Sequence, residues 1–153
     1  MSLGRNLEII IKREKCKVRW LAEKAGVSQP TINNIISGRK APLFDNLYYI
    51  YDAMGYILYL VAPDGRKQHY ESISDWLDLI IVVEDVDVKG LAEMFQCSDR
   101  TIYAYLSDER SPSIHYIQSF VERFGYSVKV TKGNIEYDLF EPIDIWEGKF
   151  EWM

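Results

Sequence analysis

The sequence has no apolar run of the roughly 18 residues that a membrane-spanning helix needs, and its start, MSLGRNLEIIIKREK, lacks the features of a secretion signal. Cysteine and histidine are scarce. Cys16 and Cys97 stand far apart without zinc-site or disulfide spacing, and His69 and His115 have no ligand or triad companion at motif spacing. No glycine-rich phosphate loop, nucleophile and base pair, or carboxylate pair stands at a recognisable spacing. These absences predict a cytoplasmic protein that is not an enzyme, needs no metal or other cofactor and does not act on a membrane.

The sequence does hold enough apolar material for a packed core, with 48% hydrophobic and 14% aromatic residues in a chain of 153. Its formal net charge of −5 hides an uneven distribution. Residues 1–70 carry 11 Lys and Arg against 6 Asp and Glu, a net of +5, whereas residues 71–153 carry 7 against 17, a net of −10. We therefore expect the two halves to face different partners.

A repeat with an offset of 70 residues organises the chain. Without gaps, residues 7–60 lie over residues 77–130 with 15 of 54 positions identical, most of them positions that build a fold. The apolar periodicity predicts four helices in each copy, followed by a strand. In the first copy these helices are expected near residues 6–16, 18–25, 28–37 and 43–54. The predicted domains are residues 1–70 and 71–153.

The predicted strands are rich in β-branched and aromatic residues. They are YILYLVAP (56–63) and YSVKVT (126–131), each followed by a turn signal. The tail 135–153 alternates apolar and acidic residues, which predicts further strands, the first of them returning from YSVKVT. Open strand edges are expected to pair either between the two copies or between two chains. Trp146 and Trp152 would lie in the core, or alternatively in such an interface.

The segment LAEKAGVSQPTINNIISGRKAP has the pattern of two short helices that cross. Ala22 lets them approach closely, and Gly26 suits the left-handed backbone of a tight turn between them. Ser28 is expected to cap the second of these helices by accepting the amide of Thr31, and Pro30 lies in the first turn, where a missing donor costs little.

The side of this second helix that the core does not need carries base-reading chemistry. Gln and Asn side chains can pair with the N6 and N7 of adenine, and Thr can contact a phosphate or a thymine methyl. Positive charge on both sides, from Lys17, Arg19, Arg39 and Lys40, can reach the phosphates that flank a groove.

Residues 7–56 resemble the Cro/repressor-type, XRE-like family of helix-turn-helix proteins. The resemblance is carried by LAEKAGVS, by T-I at the start of the next helix, by SGRKAP and by the apolar segment LYYIYDAMGY. It implies a compact domain of about five helices, whose third helix lies in the major groove of double-stranded DNA. The implied base-reading positions are Gln29, Pro30, Thr31, Asn33 and Asn34, and the implied phosphate contacts are Lys17, Arg19, Ser28, Ser37, Arg39 and Lys40. The implied fold is mainly α with small β: tandem lambda-repressor-like helical domains, each followed by a strand or hairpin.

Two positions depart from the family pattern. Val18 stands where many members carry a phosphate-binding Gln, and Pro30 replaces a polar or small residue, so fewer hydrogen bonds to DNA are available.

The second copy, residues 77–126, keeps the frame of the motif and changes its chemistry. Lys17 becomes Asp87, Gln29 becomes Asp99 and Arg39 becomes Glu109, so carboxylates would face the phosphates. Gln96 replaces the turn glycine, so this turn is expected to be strained or reshaped.

Three functions follow as hypotheses. The first is a bacterial or phage transcriptional regulator that reads DNA with the first copy and forms a homodimer through the second. The alternative is an interaction or inhibitor protein, of antitoxin or anti-defence type, that binds a protein partner through the acidic copy. A third, disfavoured by the reversed charge, is a single-chain pseudo-dimer with both third helices on DNA.

Overall fold

The computed structural model describes residues 2–144 of the chain, so Trp146 and Trp152 lie outside the described residues. The helices and strands in this part follow an order that repeats once. They are α1 (Ser2–Arg13), α2 (Val18–Ala25), α3 (Gln29–Ser37), α4 (Phe44–Ala53), β1 (Ile57–Val61), β2 (Lys67–His69), α5 (Ile73–Val83), α6 (Val88–Met94), α7 (Asp99–Leu106), α8 (Ile114–Phe124), β3 (Ser127–Lys132) and β4 (Ile135–Asp138). The predicted class, mainly α with a small β part, is confirmed.

Residues 2–70 and 71–144, here called the first and second unit, have the same order of elements. From α6 to β3, each element begins 70 residues after its counterpart in the first unit. A family domain of about five helices was expected, but each described unit has four helices, and a β-hairpin follows the fourth.

Helix α1 begins and ends earlier than the sequence pattern predicts. It runs from Ser2 to Arg13 instead of about 6–16. Lys15 adopts a left-handed backbone with φ of 54°, and Asp85 does the same after α5 with φ of 52°. A residue in that conformation cannot continue a right-handed helix, so the apolar periodicity outlasts the helix itself.

The four strands form one antiparallel sheet in the order β2-β1-β3-β4, in which β1 of the first unit pairs with β3 of the second. The open question of strand pairing is therefore decided for these edges: they pair between the two units of one chain. Tyr59 lies opposite Lys129, its own equivalent in the repeat. Strand β4 returns from β3, as the alternation in the tail predicts.

A second contact between the units lies in the loops before α4 and α8. Leu43 and Ser113 form an isolated antiparallel bridge. The amide of Phe44 donates to the carbonyl of Pro112, and the amide of Ile114 donates to that of Pro42, both at 2.9 Å. Phe44 and Ile114 are equivalent residues of the repeat, and so are Pro42 and Pro112. Each unit therefore donates to the other the hydrogen bond that it receives, and the contact is reciprocal.

One hydrophobic core runs through both units. Leu58 and Leu60 of β1 lie fully buried beside Val128 and Val130 of β3 on the inner face of the sheet. Trp76 of α5, which is fully buried, packs against Phe44 and Tyr70 with ring centroids 5.5 and 4.8 Å away. Since apolar burial stabilises in proportion to the area removed from water, the units stabilise each other.

Equivalent tyrosines tie each hairpin to the first helix of its own unit. Tyr56 donates to Glu14 at 3.0 Å, and Tyr126 donates to Glu84 at 2.9 Å. Burial, together with the hydrogen bond to Glu84, raises the pKa of Tyr126 to about 12. Burial alone would raise the pKa of Glu14, but hydrogen bonds from Lys132 and Tyr56 outweigh it and lower that pKa below its ordinary value.

The end of the second unit returns to α1 of the first. Asn6 is fully buried; its amide nitrogen donates to the carbonyl of Glu141 at 2.7 Å, and its carbonyl oxygen accepts the amide of Ile143 at 3.0 Å. The Ser2 hydroxyl donates to the carbonyl of Phe140 at 3.0 Å. Paired polar groups of this kind are costly to remove, so the tail up to residue 143 is held against α1.

The turn at Gln96 is strained rather than reshaped. Gln96 has φ of 54°, close to the φ of 74° at Gly26 in the first unit. A left-handed backbone costs a residue with a Cβ about 1 kcal/mol relative to glycine. We expect Gln96→Gly to raise the free energy of unfolding by about 1 kcal/mol in urea denaturation.

The matched control is Gly26→Gln, which places the same side chain in the equivalent turn of the first unit. A Cβ at Gly26 would meet nothing within 4 Å, so backbone strain is the expected cause of any loss of stability. A destabilisation of about 1 kcal/mol is expected there. Unchanged unfolding curves for both variants would contradict the assignment of strain to these turns.

Candidate nucleic-acid interface

Helix α3 is held in place by its cap and by two buried isoleucines. The Ser28 side chain accepts the amide of Thr31 at 3.1 Å, which confirms the predicted cap, and Pro30 lies in the first turn, as predicted. Ile32 and Ile35 are 0% and 3% exposed. Gly26 has the left-handed backbone that the sequence predicts for the turn before α3. These local features direct the opposite side of α3 towards solvent.

The solvent side of α3 carries the residues predicted to read bases. Gln29, Pro30 and Asn33 are exposed, and Thr31 and Asn34 are half-buried. The Thr31 hydroxyl lies 2.7 Å from the Ser28 hydroxyl, so Thr31 also helps to cap the helix. The structure therefore brings the five predicted base-reading residues onto one helix, with the amide groups of Gln29 and Asn33 most accessible.

The residues predicted to contact phosphates surround this helix. Lys17, Arg19, Arg39 and Lys40 are exposed, and within residues 2–144 none of them forms an ion pair. Their charges are thus available to an external anion. Ser28 and Ser37 are also exposed, although the Ser37 hydroxyl donates to the carbonyl of Asn34 at 3.2 Å.

The first turn of α2 adds a further feature that suits a phosphate. No side chain caps this helix: Lys17 occupies the N-cap position without a capping hydrogen bond, and no acidic residue lies in the first turn. Amide donors at an uncapped helix N-terminus, together with the helix dipole, favour an anion. These amides are donors that a phosphate could use in place of the hydrogen bond that Val18, unlike Gln, cannot provide.

The N-terminus of α6, which is equivalent to that of α2, is capped by a side chain. Asp87 caps α6 by accepting the amide of Gly90 at 2.8 Å, so its carboxylate already occupies the place of an anion. Asp108, in the left-handed position of Gly38, accepts the amide and the hydroxyl of Ser74 at the start of α5, at 3.3 and 2.9 Å. Two of the carboxylates that make this unit acidic thus accept hydrogen bonds from the protein's own helix N-termini.

Helix α7 keeps the placement of α3. Ser98 caps it by accepting the amide of Thr101 at 3.2 Å, and each residue from 98 to 107 has the same burial class as its equivalent in the first unit. A shallow cleft on its solvent side is lined by Arg100, Thr101, Tyr103, Ala104, Ser107, Glu109 and Arg110. These are the equivalents of Pro30, Thr31, Asn33, Asn34, Ser37, Arg39 and Lys40.

Sequence reasoning did not identify Gly4, which determines how closely α1 approaches α3. A Cβ at Gly4 would lie 2.4 Å from the carbonyl oxygen of Ile35 and 2.5 Å from that of Ile36. Only glycine fits at such a distance from backbone atoms. A glycine within an otherwise apolar helix is a signal of close packing, but the sequence does not say which helix it contacts.

Sequence reasoning did not identify Trp20 either. It is 45% exposed on α2, and the ammonium of Lys24 lies 5.0 Å from the centre of its ring. Because Leu21 and Ala22 are buried, Trp20 faces away from the core on the same short helix as Arg19. Its position next to a predicted phosphate contact could have been read from the helical spacing.

Residues 2–144 contain no group of three or more His, Cys, Asp or Glu side chains placed to hold a metal ion. No helix within these residues has the length and apolarity needed to cross a membrane.

Comparison with known proteins finds one family match, and it lies within the first unit. Residues 9–56 match the family described as helix-turn-helix, of the XRE type, which confirms the resemblance over that segment. The second unit lies outside the match, so its membership of the same family stays a prediction. No curated protein and no solved structure matches the chain. The family match supports a DNA-binding regulator, and it is a match to a regulatory family rather than to an enzyme family.

Proposed function

We propose that this chain, whose residues 9–56 match the helix-turn-helix family, is a sequence-specific transcriptional regulator of bacterial or phage type acting in the cytoplasm. Its helix α3 lies in the major groove of double-stranded DNA and reads base edges. The observation that carries the proposal is the exposed polar side of α3, flanked by four exposed cations that have no ion-pair partner within residues 2–144.

Some residues of this surface contribute to specificity by contacting bases, and others contribute to affinity by contacting phosphates. Gln29, Asn33 and Asn34 present amide groups that can pair with adenine in two hydrogen bonds, whereas Thr31 supports the cap and offers its methyl group to a thymine. Lys17 and Arg19 bind phosphates on one side of the groove. Arg39 and Lys40 bind those on the other side.

The test is selection of bound sequences from a pool of random DNA duplexes, carried out with the full chain and with Asn33→Ala. The wild type is expected to enrich one motif. Asn33→Ala is expected to lose preference at one base pair of that motif, by about tenfold in affinity ratio, because a bidentate pair discriminates by roughly 1–3 kcal/mol. Asn46→Ala, on α4 outside the predicted surface, is the matched control and should enrich the wild-type motif.

Failure of the wild type to enrich any motif would contradict sequence-specific reading and favour the protein-interaction alternative. One observation supports that second candidate: Val82 and Val83, at the end of α5, are 78% and 46% exposed within an acidic unit. Exposed apolar side chains on a unit with a net negative charge suit a partner with a basic, partly apolar surface. The homodimer predicted from the sequence is untested, and it competes with binding of DNA by a single chain.

A further inference from the structure

The two units are related by a local two-fold axis. Antiparallel pairing of β1 with β3 is centred on Tyr59 and Lys129, which are equivalent residues, and the bridge of Leu43 with Ser113 joins another equivalent pair. A two-fold operation exchanges equivalent residues, so the axis passes through both pairs. It runs from the sheet, through the core, to the loops that follow α3 and α7.

Of the two pairings predicted for the open strand edges, between the two copies or between two chains, the structure has the first. Symmetric oligomers bury the same patch on both subunits, each residue contacting its partner reciprocally. The reciprocal hydrogen bonds of Phe44 and Ile114 have that form. The shared sheet and continuous core also leave these two surfaces filled, so neither is available to another copy.

A two-fold rotation does not change the position of an atom along the axis, so α3 and α7 lie at the same level along this axis. The loop that carries Arg39 and Lys40 leads directly to the bridge at Leu43, and Lys40 and Pro42 line one shallow pocket together with His115 of the second unit. A duplex that lies across this end of the axis, in contact with α3, therefore passes over the second unit as well.

The second unit repels phosphate less strongly than its net charge implies. Asp87, which replaces Lys17, and Asp108, which replaces Gly38, accept backbone amides at helix N-termini, where the helix dipole offsets part of their charge. The charged side chains that line the cleft of α7 are Arg100 and Arg110 against Glu109, two positive to one negative.

The chemistry around α7 also differs in kind from that around α3. Arg100 and Arg110 can bind phosphate or the O6 and N7 of guanine in two hydrogen bonds, and Tyr103, 60% exposed, can donate to a phosphate. Ala104 replaces Asn34 and leaves room in the cleft. This surface accordingly prefers a different sequence from the one that suits Gln29 and Asn33.

We propose that one chain binds duplex DNA as a monomer with both units, α3 in one major groove and the cleft of α7 over the next, on a site whose two halves differ in sequence. The proposal rests on the proposed DNA-binding function. Half-sites read by two-fold related helices are about 10 base pairs apart, one turn of DNA, so the bound site spans about two turns.

The experiment measures hydroxyl-radical footprints and affinity at several salt concentrations on the duplex selected by the full chain. Two protected segments about 10 base pairs apart are expected, with one chain per duplex in sedimentation equilibrium. Arg100→Ala/Arg110→Ala should remove protection of the second segment and weaken binding about tenfold. It should also reduce the slope of log K against log salt by about 1.8, since each phosphate contact contributes about 0.9.

Arg66→Ala/Lys67→Ala is the matched control, because it removes the same charge from the hairpin at the other end of the axis, and it should leave both segments protected. A gain-of-binding variant, Asp99→Asn/Glu109→Gln, should tighten binding several-fold and steepen the salt dependence.

Unchanged affinity and footprint in both α7 variants, or two chains per duplex, would overturn the inference while leaving DNA binding by α3 intact. Loss of the proposed function is distinguishable, because the wild type would then protect neither segment.

Discussion

Reversing the two charges that follow α3, in the variant Arg39→Glu/Lys40→Glu, is expected to weaken DNA binding by about 100-fold or more at 0.1 M salt. Both side chains are exposed in the loop between α3 and the bridge at Leu43, without an ion-pair partner in residues 2–144. The variant removes two phosphate contacts and places two carboxylates against phosphates, where like charges repel. Titration of a fluorescent duplex at several salt concentrations measures the change, and the magnitude of the salt slope should fall by about 1.8.

The control for total charge is Arg66→Glu/Lys67→Glu on the β1-β2 hairpin, which makes the same change in net charge at a surface remote from α3. If long-range repulsion alone were responsible, DNA binding would be weakened equally in both variants. We expect the hairpin variant to lose several-fold at most at this salt concentration, because the Debye length is about 10 Å at 0.1 M. Equal losses in the two variants would reject the assignment of Arg39 and Lys40 as direct phosphate contacts.

The substitution with the largest expected effect on stability is Gly4→Ala. The new Cβ would lie 2.4 and 2.5 Å from the carbonyl oxygens of Ile35 and Ile36, so α1 and the end of α3 must move apart. Overpacking of a core costs about 1–3 kcal/mol, and contact with two backbone atoms places this site at the upper end. Alanine regains about 1 kcal/mol of helix propensity, so we expect a net loss of about 2 kcal/mol in the free energy of unfolding, measured in urea.

Gly4→Ala should also weaken DNA binding, even under conditions where the protein stays folded, because Ser37 and the Arg39-Lys40 segment follow directly on the displaced end of α3. Gly90→Ala on α6 is the matched control. A Cβ there would meet only side-chain atoms of Val86 and Asp87, at 3.1 and 3.2 Å, which can shift slightly. Its stability should change by less than about 1 kcal/mol and its DNA affinity should not change. A stable, fully binding Gly4→Ala protein would contradict the role given to this contact.

Much of the helix-turn-helix segment could be predicted from sequence because its determinants are local. The cap of Ser28 on Thr31, the left-handed Gly26 and the first-turn Pro30 each depend on residues within a few positions of one another, and each was confirmed. Helix α1 was placed too late because the left-handed backbone at Lys15 has no marker in its residue type. The DNA contacts themselves stay predictions, since no bound duplex tests them.

The roles of several residues could not be predicted because they depend on atoms distant in sequence. The role of Gly4 depends on its close approach to the carbonyls of Ile35 and Ile36. The role of Asn6 depends on its hydrogen bonds to the backbone of residues 141 and 143. In the sequence Asp108 only adds a negative charge where the first copy has Gly38, whereas in the structure its carboxylate accepts hydrogen bonds from Ser74, 34 residues away. Summing charges over a segment therefore does not show which carboxylates are hydrogen-bonded within the protein.

The sequence by itself determined the class of the first unit, the periodicity of its helices, and its turn and cap chemistry, and it predicted a second copy 70 residues later. These follow from side-chain periodicity and local backbone preference, which act over a few residues. Only the tertiary structure decided that β1 pairs with β3, that a two-fold axis relates the units within one chain, and which carboxylates are engaged. Strand pairing and helix contacts link residues that are far apart in the chain, and an open strand edge can be satisfied equally by a neighbour in the same chain or in another, so no local pattern selects between them.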